Sequence, residues 1–464
     1  MIKVELLGAT SLFSEVDSEP LSLASHAALE CYQSGVPAMG EMIDVEGRLF
    51  LPGHHTTLQH FSFNFNVEGI AVGDITLGLH LASPFYNSDQ RSGRFCSAMF
   101  DRPDIGRLMA YVKNFWPEGG KRKNWLANIE SYLDNQLVFY QKTIGRASLL
   151  AEEFLRKERP MASEKYIKQN APKIAQEQMR VFIPVLFPTG FDFTINLSAL
   201  VALWASAWSP VTIFVTDEMV KRVLSKYPEL GFCFDPMYRQ PSRERRTLQL
   251  CAGTHGAKIS PSLKLLQLDN DDEFVVPLEE LMHPVDRLHF DPCMMNNSAA
   301  GLKTEIEISL ATMGQDQRHR TIGRSEPNLT GNFYLPPIPN AMGLEDATDS
   351  LIGDWLELYS DLPSSLGDIL APYGAMVCYK KRGSFNAVIH EQAKRLCFCA
   401  QEEIYHLSRE LRQAVMEERG EKSPLLKMFQ PPCFSTGKCA EGARYCGRDI
   451  KLRRKGDYFP KRRV

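Results

Sequence analysis

The run Phe61-Ser62-Phe63-Asn64-Phe65-Asn66-Val67 sets an apolar residue at every second position, and Thr304-Glu305-Ile306-Glu307-Ile308-Ser309-Leu310 repeats the pattern far downstream. Side chains on a strand alternate between two faces, so each run presents one apolar and one polar face and reads as a half-buried strand. The fold must therefore place at least two sheets or sheet segments against a covering layer. Val4–Leu7 and Leu263–Leu268 read as further strands, one opening each half of the chain.

Between the strands the pattern is helical. Leu21–Tyr32 reads as a short helix. Trp116–Arg180 is helical in character with breaks near Gly119-Gly120 and Glu158–Met161, and Asp217–Lys226 resumes helical spacing. Ile183–Leu203 is apolar and β-branched. One long helix is expected from about Phe385 to Glu418, where Ala, Glu, Gln, Arg and Leu recur at helical intervals. Polarity rises over Pro236–Arg246, which marks a linker. The resulting expectation is an α+β fold of two tandem modules, each a sheet flanked by helices. The first spans 1–240, a linker 241–262, the second 263–425, and a cysteine-containing basic tail 426–464. The order of elements is alike in the two halves, which suggests a duplicated module.

Composition narrows the class. With 464 residues, 44% hydrophobic and 23% charged, the chain is an ordinary folded protein long enough for two domains. A net charge of −3 offers nothing for general nucleic-acid binding, so any anion site must come from local clustering. No apolar run reaches membrane-span length. The opening strand lacks a signal-peptide pattern, and eleven cysteines, mostly scattered through apolar segments, fit reduced thiols in a cytoplasmic protein.

Local clustering is densest at Gln315-Asp316-Gln317-Arg318-His319-Arg320. Two guanidiniums flanking an imidazole suit a phosphorylated or otherwise anionic ligand, because the planar fork matches phosphate and carboxylate geometry. Short basic runs are also commonly solvated surface.

The segment His54-His55-Thr56-Thr57-Leu58-Gln59-His60-Phe61 resembles flavin-dependent thymidylate synthases, in which a His-x-Thr-x-x-Glu-His stretch precedes a phenylalanine-rich strand. That family then carries Arg-His-Arg, seven residues, and Ser-Gly-Arg. Here the first half has Leu79-His80-Leu81 and an intact Ser92-Gly93-Arg94, while the second has an intact Arg318-His319-Arg320 and Asn328-Leu329-Thr330. A later Arg-x-x-x-Pro motif, with an Asn twelve residues on and an Arg in the following helix, divides likewise. The first half supplies Arg180, Pro184 and Asn196 but has Ala207 at the last position. The second has Asp368, Pro372 and Ser384, then Arg395 and Ala400-Gln401-Glu402-Glu403-Ile404. Gln59 departs from the family's Glu, and three extra residues precede Ser92.

The resemblance implies an FAD-dependent thymidylate synthase that converts dUMP to dTMP with methylenetetrahydrofolate and NADPH, its site shared between the modules. It implies that Ser92, Gly93, Arg94 and Arg180 hold the nucleotide phosphate and that Gln315 and Arg395 contact the uracil. Arg395 is the catalytic choice, since a guanidinium at the base edge stabilises charge as C5 becomes nucleophilic. His54, Thr56, Asn196, Arg318, His319 and Arg320 would hold FAD. Because the family is homotetrameric, a tandem chain implies a homodimer equivalent to four modules. Two other readings stand beside this one: a related flavin-dependent C5-methylase of another uracil nucleotide, and a noncatalytic scaffold. Each residue also has a structural reading. Asn196 fits a helix cap, Arg395 a surface pair with Glu391, and Ser92-Gly93 a turn.

Cys433, Cys439 and Cys446 form a Cys-x5-Cys-x6-Cys cluster among Gly and Pro turns, and Cys397 or Cys399 offers a fourth thiolate. The set suits a structural zinc or an iron–sulfur centre, and free thiols are the competing reading. The basic stretch Lys451–Arg463 reads as a solvated tail.

Overall fold

The computed structural model describes residues 1–82, 85–94, 96, 100, 104–117, 125–239, 255–277, 287–442, 445–451 and 459–464. The Gly119-Gly120 break, residues 241–254 of the expected linker and 452–458 of the basic tail lie outside the described residues. Contacts gather the chain into two units. The first comprises Met1–Ser92, Asp104–Lys123 and Leu186–Thr247; the second comprises Gly93–Pro103, Asn124–Val185 and Leu248–Val464.

The first unit opens with β1 (Lys3–Ala9), α1 (Glu19–Leu29), β2 (Ser62–Ala71), β3 (Tyr86–Gln90) and α2 (Ile105–Phe115). The chain then contributes α3 (Trp125–Glu158) and α4 (Glu164–Met179) to the second unit, and returns to the first with β4 (Pro188–Asn196), α5 (Leu197–Ser206) and α6 (Pro210–Lys226). The first sheet is antiparallel in the order β1-β2-β4-β3. The alternating run expected at 61–67 forms most of β2: Phe63, Phe65 and Val67 are fully buried, each burial worth about 1.5–3 kcal/mol. On the opposite face the asparagines pair across strands, Thr194 donating to Asn64 over 2.6 Å and Asn66 to Asp192 over 2.8 Å. The apolar stretch 183–203 divides at Asn196, whose side chain accepts the Ala199 N–H at 2.8 Å and starts α5.

In the second unit β5 (Ala257–Lys258), β6 (Ser262–Leu268), β7 (Gly301–Ser309), α7 (Leu310–Asp316), β8 (Gly323–Arg324) and β9 (Asn328–Tyr334) are followed by α8 (Glu345–Asp361), β10 (Ala375–Ser384), α9 (Phe385–Arg395) and α10 (Glu402–Arg419). The sheet order is β5-β9-β10-β7-β6, with β8 also on β10. Thr304, Ile306 and Ile308 face inward from β7 as their alternation requires. Leaving aside β5 and β8, the succession β6-β7-β10-β9 repeats that of β1-β2-β4-β3. A core of Leu302, Phe385, Val388, Ile389, Tyr405, Leu411, Val415 and Leu425 joins α9 and α10 to the sheet, and Phe429, Phe434 and Phe459 of the tail extend it.

The single helix expected over 385–418 is two helices separated by residues 396–401. No Pro or Gly lies in the gap, where the Cys399 N–H turns to the Cys397 sulfur at 3.5 Å. Guanidiniums remote in sequence take the carbonyls that would continue the helix. Leu396 O accepts from Arg448 at 3.3 Å, Phe398 O from Arg159 at 3.1 Å, Cys399 O from Arg94 at 2.9 Å and Ala400 O from Arg462 at 2.6 Å. Charge-assisted donors outcompete the neutral backbone N–H.

Candidate functional site

Three short structural devices bring the site together in the second unit. The Ser309 hydroxyl ends β7 and caps α7, accepting the Thr312 N–H at 3.2 Å, and the seven residues of α7 end on Gln315 and Asp316. Ser384 does the same at the end of β10, capping α9, whose last residue is Arg395. Arg180 terminates α4, where its side chain is almost completely buried.

Gln315 and Gln401 link these pieces. The Gln315 amide donates to Gln401 Oε1, which also accepts Arg180 at 3.2 Å. Arg180 donates further to Ala311 O at 3.2 Å and lies over the Tyr373 ring at 5.2 Å. Arg395 donates to Gln315 O at 2.5 Å, and Arg94 reaches Gln315 Oε1 at 3.4 Å while forming an ion pair with Glu177. Arg94, Arg180, Gln315 and Arg395 therefore converge, with Gly93 close by through a 2.7 Å bond from Gln176 to its carbonyl.

The cluster is short of negative charge. Burial pulls Arg395 down to about 10, helped by Arg94 and opposed by Glu391 and Asp316. Burial lowers Arg180 as well, with Arg94 adding to it. Both remain cationic at neutral pH. Their buried Nε atoms have no hydrogen-bond partner among the described residues, and such orphans call for a ligand or a water. Arg94 also lines a cavity of about 530 Å³ whose wall includes Arg159, Lys173, Arg462, Tyr166 and Glu177. That volume is in the range of small-molecule sites.

Beside the cluster, Arg318, His319 and Arg320 form a turn after α7. Arg318 is exposed, Arg320 half-buried and His319 buried. A balanced ionic network holds this turn. Asp316, fully buried, pairs with Arg324 at 2.5 Å and with Lys381, and accepts Tyr379 OH at 2.8 Å; Lys381 also bonds Glu391 at 2.6 Å. Burial alone raises the Asp316 pKa, but Arg324 and Lys381 outweigh it and hold the carboxyl well below its usual range. Arg324 additionally caps the His319 and Ile322 carbonyls at 3.1 and 2.8 Å. Burial, with Arg395 and Lys381 nearby, keeps His319 neutral, and its Nε2 has no hydrogen-bond partner among the described residues. Cations at the rim and an open imidazole nitrogen are groups that an anionic, hydrogen-bonding ligand can take.

The remaining expected residues belong to the first unit. His54 and Thr56 are exposed, at the start of a 3-10 turn over His55–His60, and Ser92 is half-buried. Asn196 is the cap of α5. His80, in the place of the missing first Arg-His-Arg, stacks on Tyr86 at 5.3 Å and bonds Ser88 at 2.9 Å. Glu391, expected beside Arg395, bonds Lys381 instead. Gln401, Glu177, Lys381 and Arg324 were not assigned roles from sequence. Only Gln401 carried a signal, its place in the Ala-Gln-Glu-Glu run after Arg395. Among the described residues no helix is long and apolar enough to cross a membrane.

No family model and no curated protein sequence matches the chain. Among solved structures it is similar to thymidylate synthase X (ThyX) from Helicobacter pylori with FAD and dUMP. The two are 19% identical over 52% of this chain and 100% of that one, with a TM-score of 0.30. A second structure of the Helicobacter pylori enzyme complexed with FAD and dUMP matches 51% of this chain and 100% of its own at 16% identity, TM-score 0.32. The UMP/dUMP methylase PolB from Streptomyces cacaoi, bound with 5-Br dUMP, matches 50% and 94% at 19% identity, TM-score 0.29.

Proposed function

We propose that this chain is a flavin-dependent enzyme that methylates C5 of a uracil nucleotide, with conversion of dUMP to dTMP as its reaction. The observation that carries the reading is the meeting of Arg94, Arg180 and Arg395 on the Gln315–Gln401 pair. Sequence motifs separated by some 300 residues supply these groups, and a cationic cluster with orphaned N–H donors is what a nucleotide monoanion or dianion requires.

In this reading Gly93, Arg94 and Arg180 take the phosphate, with Ser92 preceding them. Gln315 reads the uracil edge. Arg395, already fixed by its bond to the Gln315 carbonyl, places its remaining donors at the base oxygen where negative charge gathers as C5 attacks. Arg318, His319 and Arg320 would hold FAD, which when bound supplies the hydride that completes the methyl group. Methylenetetrahydrofolate is the one-carbon donor and NADPH the reductant. His319 stays uncharged, so it contributes a hydrogen bond to the cofactor without altering the charge balance. The equal strand succession of the two sheets supports reading them as repeats of one module.

The test supplies purified protein with FAD, NADPH, methylenetetrahydrofolate and either dUMP or UMP, and separates the products chromatographically. Formation of dTMP, lost in Arg395→Ala, is expected. Methylation of UMP alone would replace the substrate, and failure to bind either nucleotide by calorimetry would overturn the reading.

A further inference from the structure

The loop between α9 and α10 takes one guanidinium on each of three successive carbonyls. Phe398 O accepts from Arg159 at 3.1 Å, Cys399 O from Arg94 at 2.9 Å and Ala400 O from Arg462 at 2.6 Å. Neighbouring Cα atoms of a chain are about 3.8 Å apart, so the loop gathers the three cations at one place. They line the same cavity of about 530 Å³, with the exposed Lys173 also on its wall. The cysteines of the tail give no comparable site: among the described residues, Cys433, Cys439 and Cys446 included, no three His, Cys, Asp or Glu are arranged to hold a metal ion.

The side chains of this wall are unbalanced in charge. Arg94, Arg159, Lys173 and Arg462 stand against Glu177 and Glu441, of which Glu177 is engaged by Arg94 and Glu441 is exposed. Arg159 and Arg462 are buried, and among the described residues neither pairs with a carboxylate. A guanidinium has five N–H donors. Arg159 spends one on Tyr166 OH at 2.9 Å and one on Phe398 O, and Arg462 spends one on Ala400 O. Donors left over in a buried setting are costly. The cations also repel one another: burial first, then the charge of Arg159, lowers the Arg462 pKa. An anion in the cavity offsets that repulsion and takes donors that the loop carbonyls leave over.

Phosphate is the anion that planar guanidinium forks match best. The wall suits phosphate better than a base, because the Phe398 ring is already taken by Arg448 at 4.2 Å, Arg462 at 5.2 Å and Arg159 at 5.8 Å. Arg94 belongs both to this cavity and to the cluster around Gln315, whose Oε1 it reaches at 3.4 Å. A nucleotide whose first phosphate lies at Arg94 therefore has Arg159, Arg462 and Lys173 before any phosphates that follow.

We infer that this cavity binds the second and third phosphates of a uracil nucleoside di- or triphosphate, so that the site accepts these nucleotides besides the monophosphate and holds them more tightly. The inference rests on the nucleotide reading above, with the base at Gln315 and Arg395 and the first phosphate at Arg94.

The test measures binding of dUMP, dUDP, dUTP and inorganic tripolyphosphate to the full chain by calorimetry, without added magnesium to shield the phosphates. Affinity should rise at least tenfold from dUMP to dUTP, and tripolyphosphate alone should displace dUTP. Lys173→Glu changes an exposed residue and leaves the loop's carbonyl bonds in place; it should lower the ratio of dUTP to dUMP affinity at least fivefold, and Lys173→Arg should restore the ratio. Equal affinity for dUMP and dUTP, or a ratio untouched by Lys173→Glu, would overturn the inference and leave the nucleotide reading standing. Tripolyphosphate bound by a chain that takes none of the three nucleotides would instead overturn the nucleotide reading, and with it the identity of the cavity's ligand.

Discussion

Replacing Asp316 with Asn preserves shape and removes one charge from a buried group of two cations and two carboxylates, Arg324, Lys381, Asp316 and Glu391. Lys381 keeps Glu391, but Arg324 loses the carboxylate 2.5 Å from its Nε. Breaking one partnership of a buried ion pair costs about 3–5 kcal/mol. The Asn oxygen still accepts from Tyr379, so the loss belongs near the lower end, about 3 kcal/mol. Against a typical stability of about 5–15 kcal/mol, that lowers the folded-to-unfolded ratio more than a hundredfold and still leaves the chain folded. The Asp316 pKa is depressed in the fold, so its contribution is present above the unfolded value of 3.8 and disappears as pH falls through the folded one. Urea unfolding at pH 7 should show the full difference, and it should shrink below about pH 4. Hydrogen exchange should place the loosening at residues 317–324, where Arg324 ties the His319 and Ile322 carbonyls. A stability loss under about 1 kcal/mol, or unchanged protection of that turn, would refute the view that this network holds the Arg-His-Arg segment.

Arg395→Ala should lower kcat on the uracil nucleotide by about 10²–10³, with Arg395→Lys recovering only part because a single ammonium cannot replace the planar fork; steady-state kinetics within tenfold of normal would remove Arg395 from catalysis. Gln401→Ala takes away the oxygen shared by Arg180 and Gln315, and calorimetry should show nucleotide affinity falling by about tenfold, the effect of about 1.4 kcal/mol. In the first unit, burial raises Asp74 from 3.8 to about 7, against a 2.8 Å bond from Tyr111 that lowers it. The folded carboxyl binds its proton more tightly than the unfolded one, so this group's stabilisation is complete below pH 3.8 and is lost as pH rises to about 7. Asp74→Asn should flatten that decline in a series of thermal melts, and a variant with an unaltered pH profile would count against it.

The strands were the most legible part of the chain, because a period of two survives whatever packs on the covered face. The runs Phe61–Val67 and Thr304–Leu310 lie in β2 and β7 apart from Phe61, just before β2, and Leu310, which opens α7. Arg94, Arg180, Gln315 and Arg395 could be named from motif register alone, yet what they bond to could not. Glu177, Lys381 and Arg324 look like ordinary helix or strand charges until the fold brings them inward. The largest departure, the gap at 396–401, carries no Pro or Gly to mark it. Its carbonyls are taken by Arg94, Arg159, Arg448 and Arg462, which arrive from elsewhere in the chain.

That interruption has a consequence for the site. An unbroken helix would rotate Gln401 by six residues, at 3.6 per turn, about two-thirds of a turn beyond Arg395 and onto a different face. The break lets Arg395 and Gln401 both meet Gln315, one at its carbonyl and one at its amide. Arg94 serves both ends of this arrangement, since it bonds the Cys399 carbonyl in the gap and the Gln315 side chain in the cluster. The loop's four guanidinium bonds thus work as a scaffold for the cationic cluster. Weakening them should disturb Gln401 before it disturbs the sheet, because β7 and β10 share a continuous nine-pair register that does not involve the gap.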